Sequence, residues 1–179
     1  MKKLLLFSAA FLFLAGCAHV ISEESRNLVD PTIQFSNLRA NPDSYAGKYV
    51  MLGGTIAGVQ NSKDGSQLEV VQSPLESDDL PEEASHSSGG RFLATSSRFL
   101  DPIVYKMGRR VTVVGQVQGK KTLPIDKIEY TYPIIAIREI HVWSKSEIEQ
   151  PQYPPPGYYY DPFWFGGPPY YWWYRHPYY

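Results

Sequence analysis

The stretch YVMLGGTIAGV, residues 49–59, alternates like a β-strand and breaks its own alternation at the centre. Tyr49, Met51, Thr55, Ala57 and Val59 share one parity, with Val50, Leu52 and Ile56 on the other, so side chains go to both faces. Gly53-Gly54 interrupts the pattern. Paired glycines inside a strand mark a bulge or sharp bend, and a bent strand can turn a barrel corner and serve two sheets.

Reading outward, FSNLRANPDSYAGK (35–48) predicts a short helix with Phe35 and Leu38 on one face and Ser36 near its start. Pro42 ends it, because its ring disfavours the α conformation at Asn41. A second turn at 45–48 leads into the strand. On the other side, Asn61 to Ser66 has the chemistry of a hairpin loop, and Gln67 to Gln72 returns as a second strand. Residues 74–90 (PLESDDLPEEASHSSGG) hold five acids and two prolines and predict a long solvated loop. Arg91 to Ser97 is the third strand. Asp101 as N-cap, Pro102 and Gly108 predict a helix of one to two turns over 102–107. Arg110 to Gln118 is a half-buried fourth strand, Gly119-Lys120-Lys121 a turn, and Ile125 to Tyr130 and Pro133 to Trp143 the closing strands. Pro133 fits a strand's first residue or an edge.

That order predicts an all-β domain: a small OB-like barrel of 5–6 antiparallel strands with a short helix between the third and fourth. A β-sandwich of similar strand count is the alternative. Beyond it, residues 151–179 hold 14 of the chain's 26 aromatics beside eight prolines and three glycines, with no Leu, Ile, Val, Ala or Met. So much proline denies ladder hydrogen bonds, and the absence of aliphatic residues denies a core, which predicts a disordered aromatic and Pro-rich tail. Its rings are suited to a membrane interface, cell-wall glycan or an envelope protein partner; a disordered tail without a ligand is the competing reading.

The front of the chain, MKKLLLFSAAFLFLAGC, has a positive start at Lys2 and Lys3 and an apolar run from Leu4 to Leu14, too short to span a bilayer permanently. It ends in Leu14-Ala15-Gly16-Cys17, which looks like a bacterial lipobox, with Cys17 the single cysteine of the chain. The expectation is a signal peptide over 1–16, acylation of Cys17, and a short polar tether to residue 27. Several acyl chains anchor stably where one would not. Ala18 in place of Asp points, by resemblance to enterobacterial lipoproteins, to the outer membrane.

A net charge of −1, about −3 once Lys2 and Lys3 are removed, argues against a nucleic-acid partner. One cysteine excludes a disulfide framework, and no CxxC or HExxH suggests zinc. His19, His86, His141 and His176 have no metal-ligand spacing, and Asp78, Asp79, Glu82 and Glu83 read as a solvated run. Ser85-His86-Ser87 lacks the strained elbow that a serine nucleophile requires, and Gly89-Gly90-Arg91 and Gly108-Arg109-Arg110 read as turns. No catalytic residue, metal or cofactor is expected, and the chain reads as a non-enzyme.

Asn41-Pro42-Asp43-Ser44-Tyr45, Gly47-Lys48, Leu52-Gly53-Gly54, Leu68-Glu69-Val70, Pro74-Leu75, Gly90-Arg91-Phe92, Phe99-Leu100-Asp101-Pro102, Tyr105, Gly108-Arg109, Thr112-Val113-Val114-Gly115 and Tyr132-Pro133 occur in one order. Together they resemble the Slp family of starvation-inducible outer-membrane lipoproteins, from Cys17 to about Trp143. The resemblance implies a Gram-negative, periplasm-facing, palmitate-bearing lipoprotein linked to stress, with no established catalysis, and leaves the tail unexplained. The segments become a signal (1–16), a lipidated tether (17–27), a Slp-like barrel (28–148) and the tail (149–179). Two functions follow: a structural, stress-related envelope lipoprotein with an interaction role, or an OB-type module binding a periplasmic oligosaccharide, peptide or lipid. An aromatic- and Arg-lined groove favours the second; a face covered by the 74–90 loop favours the first.

Because Cys17 is the only thiol, Cys17→Ser is expected to abolish both acylation and membrane attachment. Metabolically supplied palmitate entering that variant would contradict the lipobox.

Overall fold

The computed structural model describes residues 19–83 and 88–149. Five strands form the body: β1 (Tyr49–Ser62), β2 (Gly65–Ser73), β3 (Gly90–Ser96), β4 (Arg110–Ile125) and β5 (Ile128–Val142). They pair in the order β1-β2-β3-β5-β4, and β4 pairs again with β1, so the sheet closes into a barrel. Closure falls where the glycines are. Gly53, Gly54 and Thr55 pair with Ser73, Gln72 and Val71 of β2 on one edge and with Thr112, Val111 and Arg110 of β4 on the other. The sheet is mixed rather than antiparallel throughout, because β3 and β5 run parallel where Leu93–Thr95 meets Ile134–Ala136.

Inside the barrel, Val50, Leu52, Ile56, Leu68, Val70, Phe92, Val111, Val113 and Ile135 form one core. Helix α2 (Phe35–Ala40) packs Phe35 and Leu38 against it, with the Phe35 ring edge-on to Phe92 at 6.1 Å. Each such side chain withdrawn from water contributes about 1.5–3 kcal/mol.

The second half of the chain departs from the expected layout. Gly119-Lys120-Lys121 is not a turn. Gly119 sits at φ +111 beside a register shift, and β4 continues through it as a bulged strand to Ile125. The two expected closing strands are one: β5 runs unbroken from Ile128, with the reversal at Asp126 (φ 51). Pro133 therefore lies inside a strand, tolerated because β5 pairs with β3 only from Ile134 onward. The expected 102–107 helix is a single turn that does not propagate. Asp101 accepts from the Ile103 amide at 2.8 Å as a cap would, and its carbonyl accepts from Val104 and Tyr105, but the bonding stops there.

Two segments expected to be solvated are built onto the barrel. On β4, Thr112 and Val114 alternate with the core residues Val111 and Val113, so they point outward, yet both are fully buried. Residues 74–83 lie over this face. Leu75 bridges to Pro81, Asp79 turns inward at φ 70, and its carbonyl accepts from the Thr112 hydroxyl at 2.6 Å. The tether is docked as well. Ile21 is buried, α1 (Glu23–Arg26) is capped by Ser22, and Arg26 forms an ion pair with the buried Asp79 carboxylate. Ser22 gives its amide (3.0 Å) and hydroxyl (2.6 Å) to Glu139 on β5, and Arg138 pairs with Glu24. A charged acceptor with two donors is the strong form of hydrogen bond. α3 (Lys145–Ile148) ends the described region.

Burial alone would push the Glu139 carboxyl up, but hydrogen bonds from Ser22 and Ser25 and the nearby Arg138 more than offset it, leaving the group below its ordinary value. A depressed carboxyl favours the folded form above its unfolded value, and the gain disappears as pH falls through the folded value. The docking of residues 20–27 should therefore hold at neutral pH and loosen in acid. Glu139→Gln should speed amide exchange in that segment roughly tenfold, from the ~1.5 kcal/mol carried by a hydrogen bond to a charged group, with the barrel amides unchanged. Equal exchange in both proteins would show that Glu139 does not hold the segment.

Candidate groove between β3 and β5

The parallel pair that completes the barrel is short. β3 ends at Ser96 and the chain turns away, while β5 continues from Ile137 to Val142 beside β4 alone. Between them opens a groove of about 1150 Å³. Its lining includes Gln60 and Gln118, Arg98 and Arg138, and Phe99 and Tyr105, with the Arg138 guanidinium paired to Glu24. Period-2 alternation explains Gln118, which is the exposed neighbour of the buried Val117 on β4.

The wall contributed by residues 97–109 is fixed to the barrel. The Leu100 amide donates to Ser66 Oγ at 3.0 Å, and the Asn61 side-chain amide donates to the Leu100 carbonyl at 3.1 Å. Arg109 donates to the carbonyls of Val104 (3.1 Å) and Trp143 (3.0 Å), tying the loop to the end of β5. Glu139 also lines the groove, but Ser22 and Arg138 hold it in its ionised form, which makes it a poor proton acceptor. The lining thus combines amide, aromatic and charged residues of both signs, with Arg98 and Lys121 outside the ion pairs of the described residues and Arg138 paired to Glu24.

Across the β2–β3–β5 surface lies a polar cluster that sequence spacing did not reveal. Arg91 (2.6 Å) and the Tyr132 hydroxyl (3.0 Å) both donate to Glu69 Oε1, and Tyr130 Oη accepts from the Arg91 amide at 2.9 Å. Burial, then the hydrogen bond to Glu69, pushes the Tyr132 phenol up to about 12, so it stays a neutral donor at physiological pH. These groups satisfy one another and staple β2, β3 and β5 together. Alternation could have put Glu69 and Arg91 on outer faces, but pairing them required the register.

Other residues singled out in the sequence are not brought together. Cys17 and the lipobox residues Leu14, Ala15 and Gly16 lie outside the described residues, as do Ser85-His86-Ser87, His176 and the aromatic tail. His19 stands 3.8 Å from the Asp79 carboxylate; His141 contacts Glu147 at 3.1 Å and stacks edge-on against Trp143. The acidic run is not uniformly solvated: Asp78 caps the Leu80 amide and Asp79 is buried against Arg26. Among the described residues, no group of three His, Cys, Asp or Glu side chains could share a metal ion.

Comparison with known proteins agrees with the envelope reading. The model of the outer membrane lipoprotein Slp family matches residues 14–179, so the match runs through the tail rather than ending near Trp143. The outer membrane protein Slp of Escherichia coli K12 is 33% identical over 154 residues, 85% of this chain and 80% of that protein. The uncharacterized lipoprotein YeaY of the same strain is 29% identical over 132 residues, 74% of this chain and 67% of that one. Among solved structures, the mitochondrial single-stranded DNA binding protein Rim1 of S. cerevisiae aligns with 55% of this chain and 96% of its own, at 11% identity and a TM-score of 0.35. A small single-stranded DNA-binding protein of Streptomyces coelicolor gives 54%, 94%, 14% and 0.33. Likeness at that level carries no argument about function. The match across nearly the whole chain, with a relative at one-third identity, does: this chain belongs to the Slp family and is an outer-membrane lipoprotein of the Gram-negative envelope.

Proposed function

We propose that the protein is a non-enzymatic envelope lipoprotein, anchored through Cys17, whose OB-like barrel has a structural, stress-related role and presents the β3–β5 groove to a partner. The groove is the observation that carries this reading. It is wide, its walls are hydrogen-bonded in place, and it combines amide, guanidinium and aromatic groups. The link to stress comes from the family resemblance. The tail aromatics form a second contact, with an envelope protein or the cell wall. Residues 74–83, closing over the outer face of β1 and β4, favour the structural part of the role.

The same lining supports a second reading, an OB-type module for a periplasmic oligosaccharide, peptide or lipid. Amides and guanidinium groups would bond hydroxyls or phosphates, while Phe99 and Tyr105 would stack on an apolar face. A photo-reactive benzoylphenylalanine at Gln118, in the full chain expressed in cells, is expected to capture an envelope component. The same group at Glu129, near the β4–β5 reversal and exposed, should capture none. Capture of protein would support the first reading and capture of glycan or lipid the second. Equal capture at both sites, or none at Gln118, would contradict a groove-borne interaction.

A further inference from the structure

The turn between β3 and β4 carries a second feature. Phe99, Ile103, Val104 and Met107 are 70%, 84%, 46% and 69% exposed. Single exposed apolar residues are ordinary; four large ones on one connection form a patch that calls for a partner. The basic side chains of Arg98 and Lys106, both exposed, lie in the same connection, and neither forms an ion pair among the described residues. Asp101, its one acid, faces its own backbone at Ile103.

The patch belongs to the anchored end of the barrel. His19 lies beside Asp79, whose carbonyl accepts from Thr112; Trp143 donates to Thr112 at 3.0 Å; Arg109 joins the Trp143 and Val104 carbonyls. Along β4, Arg109 is only about 10 Å from Thr112. With Ile21 buried and residues 22–26 bonded to β5 and Asp79, little slack remains ahead of the barrel. Four residues, from Cys17 to Ile21, reach at most about 14 Å.

We infer that this short leash and the adjacent apolar, basic turn together make residues 102–107 a membrane-resting surface, with Ile103, Val104 and Met107 at the acyl–headgroup boundary and Lys106 against lipid phosphates, while Arg98, Phe99 and Tyr105 stay on the groove side. The inference rests on acylation of Cys17. It gives the barrel a fixed orientation, with the β4–β5 reversal, fourteen residues along β5 from Val142, directed away from the bilayer. A lipid surface fits better than a second copy of the chain, because the turn carries three basic side chains, Arg98, Lys106 and Arg109, against the single acid Asp101, and this net positive charge would repel itself.

Full-length lipidated chain, reconstituted in vesicles of phosphatidylethanolamine with a minority of phosphatidylglycerol, provides the test. With Cys17 acylated, a thiol introduced by Ile103→Cys takes an NBD fluorophore alone, and Ile128→Cys, 71% exposed in the parent residue, is the matched control. Expected at 103 are a blue shift, a several-fold rise in emission and quenching by brominated acyl chains, with aqueous emission at 128. Adding Lys106→Glu should reduce the signal at 103. Vesicles that carry the protein yet show aqueous emission at 103, or equal lipid signals at both sites, would overturn the orientation. A signal at 103 that vanishes as lipid is raised at constant protein would mean contact between copies and would also overturn it. Failure of the anchor would look different: a reactive thiol in the parent chain and protein that does not float with vesicles, which would remove the acylation reading and this inference together.

Discussion

At Gly53, Gly54 and Thr55 strand β1 is paired on both edges, to β2 and to β4, and closing the barrel brings three strands together there. The crowding leaves no room for a side chain at Gly54. A Cβ would strike the carbonyl oxygen of Val71, with Val70 Cγ1 at 2.7 Å and the Val71 carbonyl carbon at 2.9 Å. Backbone cannot move aside as the end of a flexible side chain can. At Gly53 the missing side chain has another consequence: Leu75 and Pro81 occupy that space, so the 74–83 segment can lie flat on the barrel. The resulting shelf buries Asp79, which holds Arg26 and with it the N-terminal segment.

The opposite side of the barrel bears the cost of closing five strands with so short a parallel junction. β3 and β5 share three residue pairs and then diverge, and that divergence is the groove. The turn that walls the groove also carries the exposed apolar patch, so anchoring and partner binding would use two faces of one connection. Its attachment through Arg109 to the carbonyl of Trp143 keeps both faces in register with the end of β5. A lipoprotein held as we infer would present its groove at a set height and angle to the membrane.

Alternation made β1, β2 and β3 legible in the sequence, but not the place of the irregularity in β1: both ladders run through Gly53-Gly54 in register and the shift falls between Ile56 and Gly58, while the expected Asn61–Ser66 loop is tighter, with Asn61 paired to Ser66 and Ser62 to Gly65. The β4–β5 ribbon was misread because Gly119-Lys120-Lys121 has the composition of a turn, and only the partner strand makes Gly119 a bulge. Asp101 and Pro102 carry the start signals of a helix, but the turn lacks an apolar face to bury; Ile103 and Met107 remain in solvent. The tether looked like a linker because its partner, Glu139, stands 117 residues from Ser22. The groove arises where two strands separate, and no single stretch of sequence encodes that separation.

Thermal unfolding of Gly54→Ala beside Gly58→Ala tests the dependence of the barrel on this crowded strand most directly. Both glycines lie in β1, but a Cβ at Gly58 meets nothing within 4 Å. Gly58→Ala should melt with the parent protein, while Gly54→Ala should lose ~1–3 kcal/mol, the usual cost of an overpacked interior, and melt several degrees lower. Two variants that melt alike would show that β1 does not close the barrel by backbone approach at Gly54.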